Sequence, residues 1–149
     1  MRNILSQLSF ILIMTNLSWA QTLTPTSVAT ISQIQKAMIT PASDAIFNVG
    51  RTAPTCDDEW QALENAAVVL TEAGNLFMME GRRKDEKQWM EFTAAMVNAG
   101  TMALRAAEVR DVNGLLDAGN NLIDVCEACH QPYRDGGRAM GPPPDVENR

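Results

Sequence analysis

The sequence predicts an all-α protein, an antiparallel up-down-up-down bundle of four helices. Apolar residues recur every three or four positions along four long stretches, which is the spacing of a helix that buries one face. No stretch alternates apolar and polar residues as a half-buried strand does. The stretches are joined by short connections, and short connections favour antiparallel neighbours in a bundle.

The first two helices are predicted over Ser27–Val49 and Cys56–Met79. Pro41 lies inside the first, and we expect it to kink or interrupt that helix because proline has no backbone N–H and crowds the preceding turn. Thr55, with Asp58 three residues later, resembles an N-cap arrangement for the second helix.

The last two helices are predicted over Asp85–Arg110 and Val112–Tyr133, with Asp111 as the cap of the fourth. Residues 82–84, Arg-Arg-Lys, are predicted to form a solvated turn, and a docking patch is the alternative. Four aromatic residues of the second and third predicted helices fit core packing or the lining of a cofactor site, and core packing is the expected role for most of them. The aromatic residues concerned are Trp60, Phe77, Trp89 and Phe92.

Three alanine–glycine pairs fall inside the predicted helices, and their glycines are Gly74, Gly100 and Gly119. A glycine costs about 1 kcal/mol relative to alanine inside a helix. Close approach of two backbones, or room for a bulky group in the core, would explain this cost. The alternative is that these positions simply tolerate small residues.

The two ends of the chain are predicted to lie outside the bundle. Residues 1–20 have a short positive start, an apolar run too short to span a bilayer comfortably, and small residues at Ser18 and Ala20, which is typical of a cleaved signal peptide. The bundle then covers residues 21–135, and a C-terminal tail covers 136–149. We expect a periplasmic protein without stable membrane insertion after cleavage; an uncleaved anchor is the alternative.

The formal net charge is −6, and loss of Arg2 with the signal peptide makes it more negative. Nucleic acid is therefore not an expected partner, because binding to phosphates needs a basic surface. Acidity alone identifies no other partner, since it mainly serves solubility.

The most specific motif is Cys126-Glu-Ala-Cys129-His130, which contains the only histidine of the chain. A Cys-x-x-Cys-His sequence is typical of c-type haem attachment, in which two thiols bond to the haem and the histidine binds its iron. A redox Cys-x-x-Cys pair normally lies near a strand–helix–strand pattern, which this sequence lacks. Structural zinc needs four ligands, and Cys56 is the only other cysteine. The motif therefore predicts one covalently attached haem c.

With four predicted helices and this motif followed by Tyr133 and Arg134, the chain resembles the class II c-type cytochromes, the cytochrome c-prime group. The resemblance implies a haem near the end of the last helix and a distal face covered by the first. It implies electron transfer with a redox partner protein when a sixth ligand is present, and binding of nitric oxide or carbon monoxide when the distal site is empty. It also implies homodimerisation through the first two helices as one arrangement.

Four further residues are candidates for roles near the haem or for separate reactivity. Met38 is the predicted sixth iron ligand, since thioether sulfur suits haem iron, while Gln35 or a vacant position is the alternative. Arg134 is a candidate partner for a haem propionate, or a surface arginine that suits the helix dipole. Cys56 is expected to be a small buried residue; an intermolecular disulfide or a reactive thiol at a helix start are the alternatives.

The sequence thus predicts an exported monohaem cytochrome that carries one electron and is not an enzyme. A five-coordinate haem protein that binds a diatomic gas is the alternative function. A third interpretation is a small accessory subunit of a larger redox enzyme.

Overall fold

The computed structural model describes residues 24–134, which form four helices that pack against each other, with no strand among them. The predicted all-α class is confirmed. The predicted signal peptide and C-terminal tail lie outside the described residues. We name the last three helices α2 (Asp57–Met78), α3 (Gln88–Glu108) and α4 (Val112–Tyr133).

The first helix, α1, consists of three consecutive segments. Ile31–Ile34 and Thr40–Asn48 are α-helical, and Gln35–Ile39 between them is π-helical. Pro41 was expected to kink or interrupt this helix. The structure shows instead a change of helix type without a break in the chain of helical residues. The wider π turn lies in the stretch just before the proline.

Two of the helices begin with a reciprocal capping box. At the start of α1 the backbone amide of Gln33 donates a hydrogen bond to Oγ1 of Thr30 at 3.2 Å, and the side-chain oxygen of Gln33 accepts one from the Thr30 amide at 2.9 Å. At the start of α2 the cap is Cys56 and its partner is Glu59, so the predicted pairing of Thr55 with Asp58 is wrong. Glu59 also accepts hydrogen bonds from the amide and hydroxyl of Thr55, which lower the pKa of its carboxyl group.

A single apolar core runs between the four helices. The largest fully buried side chains come from α1, α2 and α4; they are Ile46, Leu70, Leu115 and Leu122. Helix α3 contributes mainly alanines at helical spacing, Ala99, Ala103 and Ala107. These small side chains let α3 approach its neighbours closely.

The glycines inside α2 and α3 show how close that approach is. A Cβ atom added to Gly74 would lie 2.6 Å from Cγ2 of Val97, and one added to Gly100 would lie 2.6 Å from Oγ1 of Thr71. As the residue number rises in α2, that of its neighbour in α3 falls, which is consistent with the predicted antiparallel topology. Gly119 differs, because its nearest neighbours would be at an ordinary 3.7 Å.

Arg82, in the connection between α2 and α3, is buried with 7% of its surface exposed. The predicted solvated turn is therefore wrong at this residue. Its guanidinium Nε donates to the carbonyl of Ala29 at 2.9 Å, and one terminal nitrogen donates to the carbonyl of Leu76 at 3.1 Å. Arg82 thus joins the C-terminal end of α2 to the residues that precede α1.

Within residues 24–134, no helix combines the length and the apolar character needed to cross a bilayer.

Candidate haem-attachment site

The Cys-x-x-Cys-His motif lies in the last two turns of α4, where all three of its functional side chains are half-buried. Cys126, Cys129 and His130 stand three and four residues apart, so they share one face of the helix. That face lines a cavity of about 260 Å³ between α1, α2, α3 and α4. The cavity wall is mainly apolar, and its apolar residues are Ile39, Phe47, Phe77, Phe92, Met96 and Val125.

A second cavity of about 480 Å³ adjoins the first on the side of the helix ends. Gln35, Phe77, Cys129 and His130 line both cavities. The motif thus faces a space whose outer part, at about 480 Å³, falls within the size range of small-molecule and cofactor sites, about 300–1,000 Å³, while the inner part, at about 260 Å³, is slightly smaller. An apolar interior that opens toward polar helix ends suits a flat, largely apolar group with charged edges.

Burial keeps both thiols protonated. It raises the pKa of Cys129 to about 11, with a smaller contribution from the neighbouring Cys126. Burial also raises the pKa of Cys126, and the carboxylate of Glu127 adds to this effect. Neither thiol is therefore an ionised nucleophile at neutral pH, unlike the reactive cysteine of a thiol–disulfide enzyme.

Gln35 is the side chain of α1 that meets the motif. Its amide nitrogen Nε2 lies 3.5 Å from Nε2 of His130. This contact joins the π-helical segment of α1 to the end of α4. Gln35, which the sequence analysis had as the alternative to Met38, is thus brought to His130.

Met38 is not brought to the site. It is half-buried and lines a separate recess with residues such as Val28, Ala29 and Ala37. It lines neither cavity beside His130. The structure thus places Met38 apart from the two cavities beside His130, and its role as the sixth iron ligand stays a prediction.

Two basic residues stand at the outer cavity. Arg134, the predicted propionate partner, is exposed and lines it together with Lys84, which was predicted to lie in a solvated turn. Both side chains are long cations that can reach carboxylates at the mouth of a cavity.

No family model matches the chain, and no curated protein or solved structure is significantly similar to it. The resemblance to class II c-type cytochromes therefore stays a prediction, which rests on the motif, its setting and the helical architecture.

Aromatic rings form the wall of the site on the side of α3. The ring of Tyr133, three residues after His130, packs edge-on against Trp89 with centroids 5.1 Å apart, and against Phe92 at 6.3 Å. Trp89 in turn lies 5.8 Å from Phe77 and donates its indole N–H to the Phe77 carbonyl at 2.9 Å. These residues line the cavities as well as pack the core, so the two roles considered from the sequence coincide here.

The hydrogen-bond partner of Tyr133 was not predicted from the sequence. Its hydroxyl donates a hydrogen bond to the carboxylate of Asp85, which also accepts from the amides of Lys87 and Trp89 at 2.9 and 3.1 Å. Asp85 therefore caps the start of α3 and also forms a hydrogen bond with the end of α4. Its place just before a helix was the available signal, since aspartate is a preferred capping residue.

The hydrogen bond with Asp85 raises the pKa of Tyr133 to about 12, because an ionised phenolate would face a carboxylate. We expect the tyrosinate absorbance to titrate near this pH rather than near the usual value of about 10. This tyrosine is the only one in the chain, so the signal belongs to it alone. Since the folded pKa is raised, the stabilisation is present below pH about 10 and is lost as the pH rises toward the folded value.

The measurement is an ultraviolet pH titration, with Tyr133→Phe as the blank and circular dichroism to confirm that the helices persist. In Asp85→Asn the midpoint should fall toward about 10. A midpoint near 10 in the unaltered, folded protein would contradict the hydrogen bond.

The same bond lowers the pKa of Asp85. The stabilisation that the ionised carboxylate provides is therefore present above the usual carboxyl pKa, and it is lost as the pH falls through the pKa of the folded state.

Cys56 is exposed at the start of α2, so the expectation of a buried residue is wrong. The reason is its capping position, which places it outside the first helical turn. Among the residues that the structure describes, no three or more histidine, cysteine or acidic side chains are grouped as a metal site.

Proposed function

We propose that the chain is an exported c-type cytochrome that carries one electron on a single haem c, held by Cys126, Cys129 and His130. The observation that carries the proposal is that these three side chains face one apolar cavity. A haem bound there would supply an iron that alternates between two oxidation states, which is the chemistry of a one-electron carrier.

The residues of the site suit this group in three ways. The half-buried thiols of Cys126 and Cys129 are protonated, the form in which an S–H can add across a vinyl group: sulfur gains a bond to one carbon and hydrogen goes to the other. His130 lines both cavities and has the imidazole nitrogens that can bind iron. Lys84 and Arg134 offer cations at the outer end, where the carboxylates of a haem would be solvated.

The surroundings would control the environment of the iron. Ile39, Phe77 and Met96 give the inner cavity an apolar wall, and an apolar environment shifts the reduction potential of a bound haem. The proposed partner of such a carrier is a redox partner protein.

A second candidate function is the binding of a diatomic gas, which one observation favours. The side chain nearest to His130 across the site is the amide of Gln35, whereas the sulfur of Met38 lies in another recess. An amide is a poor ligand for haem iron compared with a thioether. Without a sixth ligand the iron would accept nitric oxide or carbon monoxide.

The proposal is tested by exporting the protein in a host with a haem-attachment system and extracting it with acid–acetone. Haem should stay with the unaltered protein and with Cys56→Ser, the matched control. It should be released from the double variant Cys126→Ser, Cys129→Ser. Extractable haem in the unaltered protein, or retained haem in the double variant, would overturn the proposal.

The visible spectrum separates the two candidate functions in the same preparation. A six-coordinate, low-spin ferrous haem that does not bind carbon monoxide supports the carrier. A high-spin haem that binds carbon monoxide supports the gas-binding protein.

A further inference from the structure

The π-helical segment Gln35–Ile39 is the part of α1 that meets His130. Its defining hydrogen bond runs from the amide of Thr40 to the carbonyl of Gln35, five residues earlier. Single π turns inside α-helices have identifiable causes and are frequent at functional sites. A cause is present here, because Pro41 follows directly.

Pro41 opposes an α-helical turn at this place for two reasons. It has no N–H, so the carbonyl of Ala37 would lose its α-helical partner four residues later. Its ring would also press against that same carbonyl. A wider turn moves the Ala37 carbonyl away from the ring, and α-helix resumes at Thr40.

The type of turn decides which side chains point toward His130. In an α-helix each residue advances by about 100° around the axis, so Met38 would stand roughly 60° from Gln35. A π turn holds more residues, and each advances by a smaller angle. The angle around the helix axis between Met38 and Gln35 is then larger, in agreement with the place of Met38 in the separate recess.

We propose that Pro41 is a positioning residue that selects which side chain of α1 faces His130. Through the π turn it holds Gln35 there and turns Met38 away. For the gas-binding haem protein, the second candidate above on which this consequence rests, Pro41 keeps the sulfur of Met38 from the sixth iron position. The site then remains open to an added ligand.

The first test needs no haem. Full-length mature chain is prepared without haem under reducing conditions, and nuclear Overhauser effects are recorded from the ring of His130, the only histidine. The unaltered chain should show contact between this ring and the Gln35 amide. In Pro41→Ala that contact should be lost and one to the Met38 methyl should appear. Pro25→Ala, at an exposed position outside the helices, should behave like the unaltered chain.

The second test uses the haem-loaded protein and carbon monoxide as the probe. Met38→Ala alone should leave the ferrous spectrum unchanged. Pro41→Ala should turn it low-spin and abolish carbon monoxide binding at concentrations that saturate the unaltered protein. The double variant Pro41→Ala, Met38→Ala should restore binding, which a merely structural effect of the proline would not do.

The two proposals fail in different ways. If the Gln35–His130 contact persists in Pro41→Ala, the role of Pro41 is overturned whether or not haem is present. A Pro41→Ala spectrum that keeps binding carbon monoxide overturns it as well. If the exported chain carries no covalent haem, the proposed function fails, and the haem-free measurement still decides the role of the proline.

Discussion

Replacing Arg82 with methionine should lower the free energy of unfolding by about 2–4 kcal/mol, the largest effect that we expect from any single substitution. The change removes the charged donor of the part-buried carbonyls of Ala29 and Leu76, and Leu76 keeps only the amide of Met79, at 3.4 Å. An unsatisfied buried polar group costs about 1–3 kcal/mol, and hydrogen bonds from a charged donor are stronger than neutral ones. Chemical denaturation followed by circular dichroism measures the difference.

Arg83 provides the matched control, because it is the next residue and has the same side chain. It is exposed and forms an ion pair with Glu86 at 2.8 Å, and such surface pairs contribute about 0–1 kcal/mol. Arg83→Met should therefore stay close to the unaltered protein. Equal losses of unfolding free energy in the two variants would mean that the hydrogen bonds of Arg82 do not hold α2 to the residues that precede α1.

Gly100→Ala should lower the free energy of unfolding by about 1–3 kcal/mol, although alanine is the better helix former. The added methyl would meet not only the hydroxyl of Thr71 but also its backbone nitrogen, at 2.9 Å. A backbone cannot rotate away as a side chain can, so α2 and α3 would have to separate, and overpacking of this kind typically costs 1–3 kcal/mol.

Gly119→Ala is the control for helix propensity, since its added methyl would find ordinary contacts at 3.7 Å. We expect it to raise the free energy of unfolding by roughly 0.5–1 kcal/mol. Thermal and chemical denaturation of the pair should therefore move in opposite directions. A stabilised Gly100→Ala protein would refute the close approach of α2 and α3.

The sequence alone could predict the helices, because their boundaries depend on local patterns. The prediction for α4, Val112–Tyr133, agrees with the structure at both ends, and that for α2 differs by one residue at each end. The motif of Cys126, Cys129 and His130 was also evident, since its three side chains are neighbours on one helix.

Features that depend on packing between distant residues could not be predicted. The buried state of Arg82 depends on carbonyls that only the fold brings to it. Close helix approach was one of two interpretations of the three glycines; it holds for two of them and not for Gly119. The prediction for the first helix used α-helical angles throughout, and it therefore favoured Met38 over Gln35 as the side chain opposite His130.

The contact between Gln35 and His130 also constrains when the site can form. It joins residues 95 positions apart, near the two ends of the described chain. During synthesis Gln35 emerges early, whereas Cys126, Cys129 and His130 emerge after all the other helices. Any enzyme that modifies these cysteines must therefore act after the other three helices have been made, in competition with closure of the bundle around them.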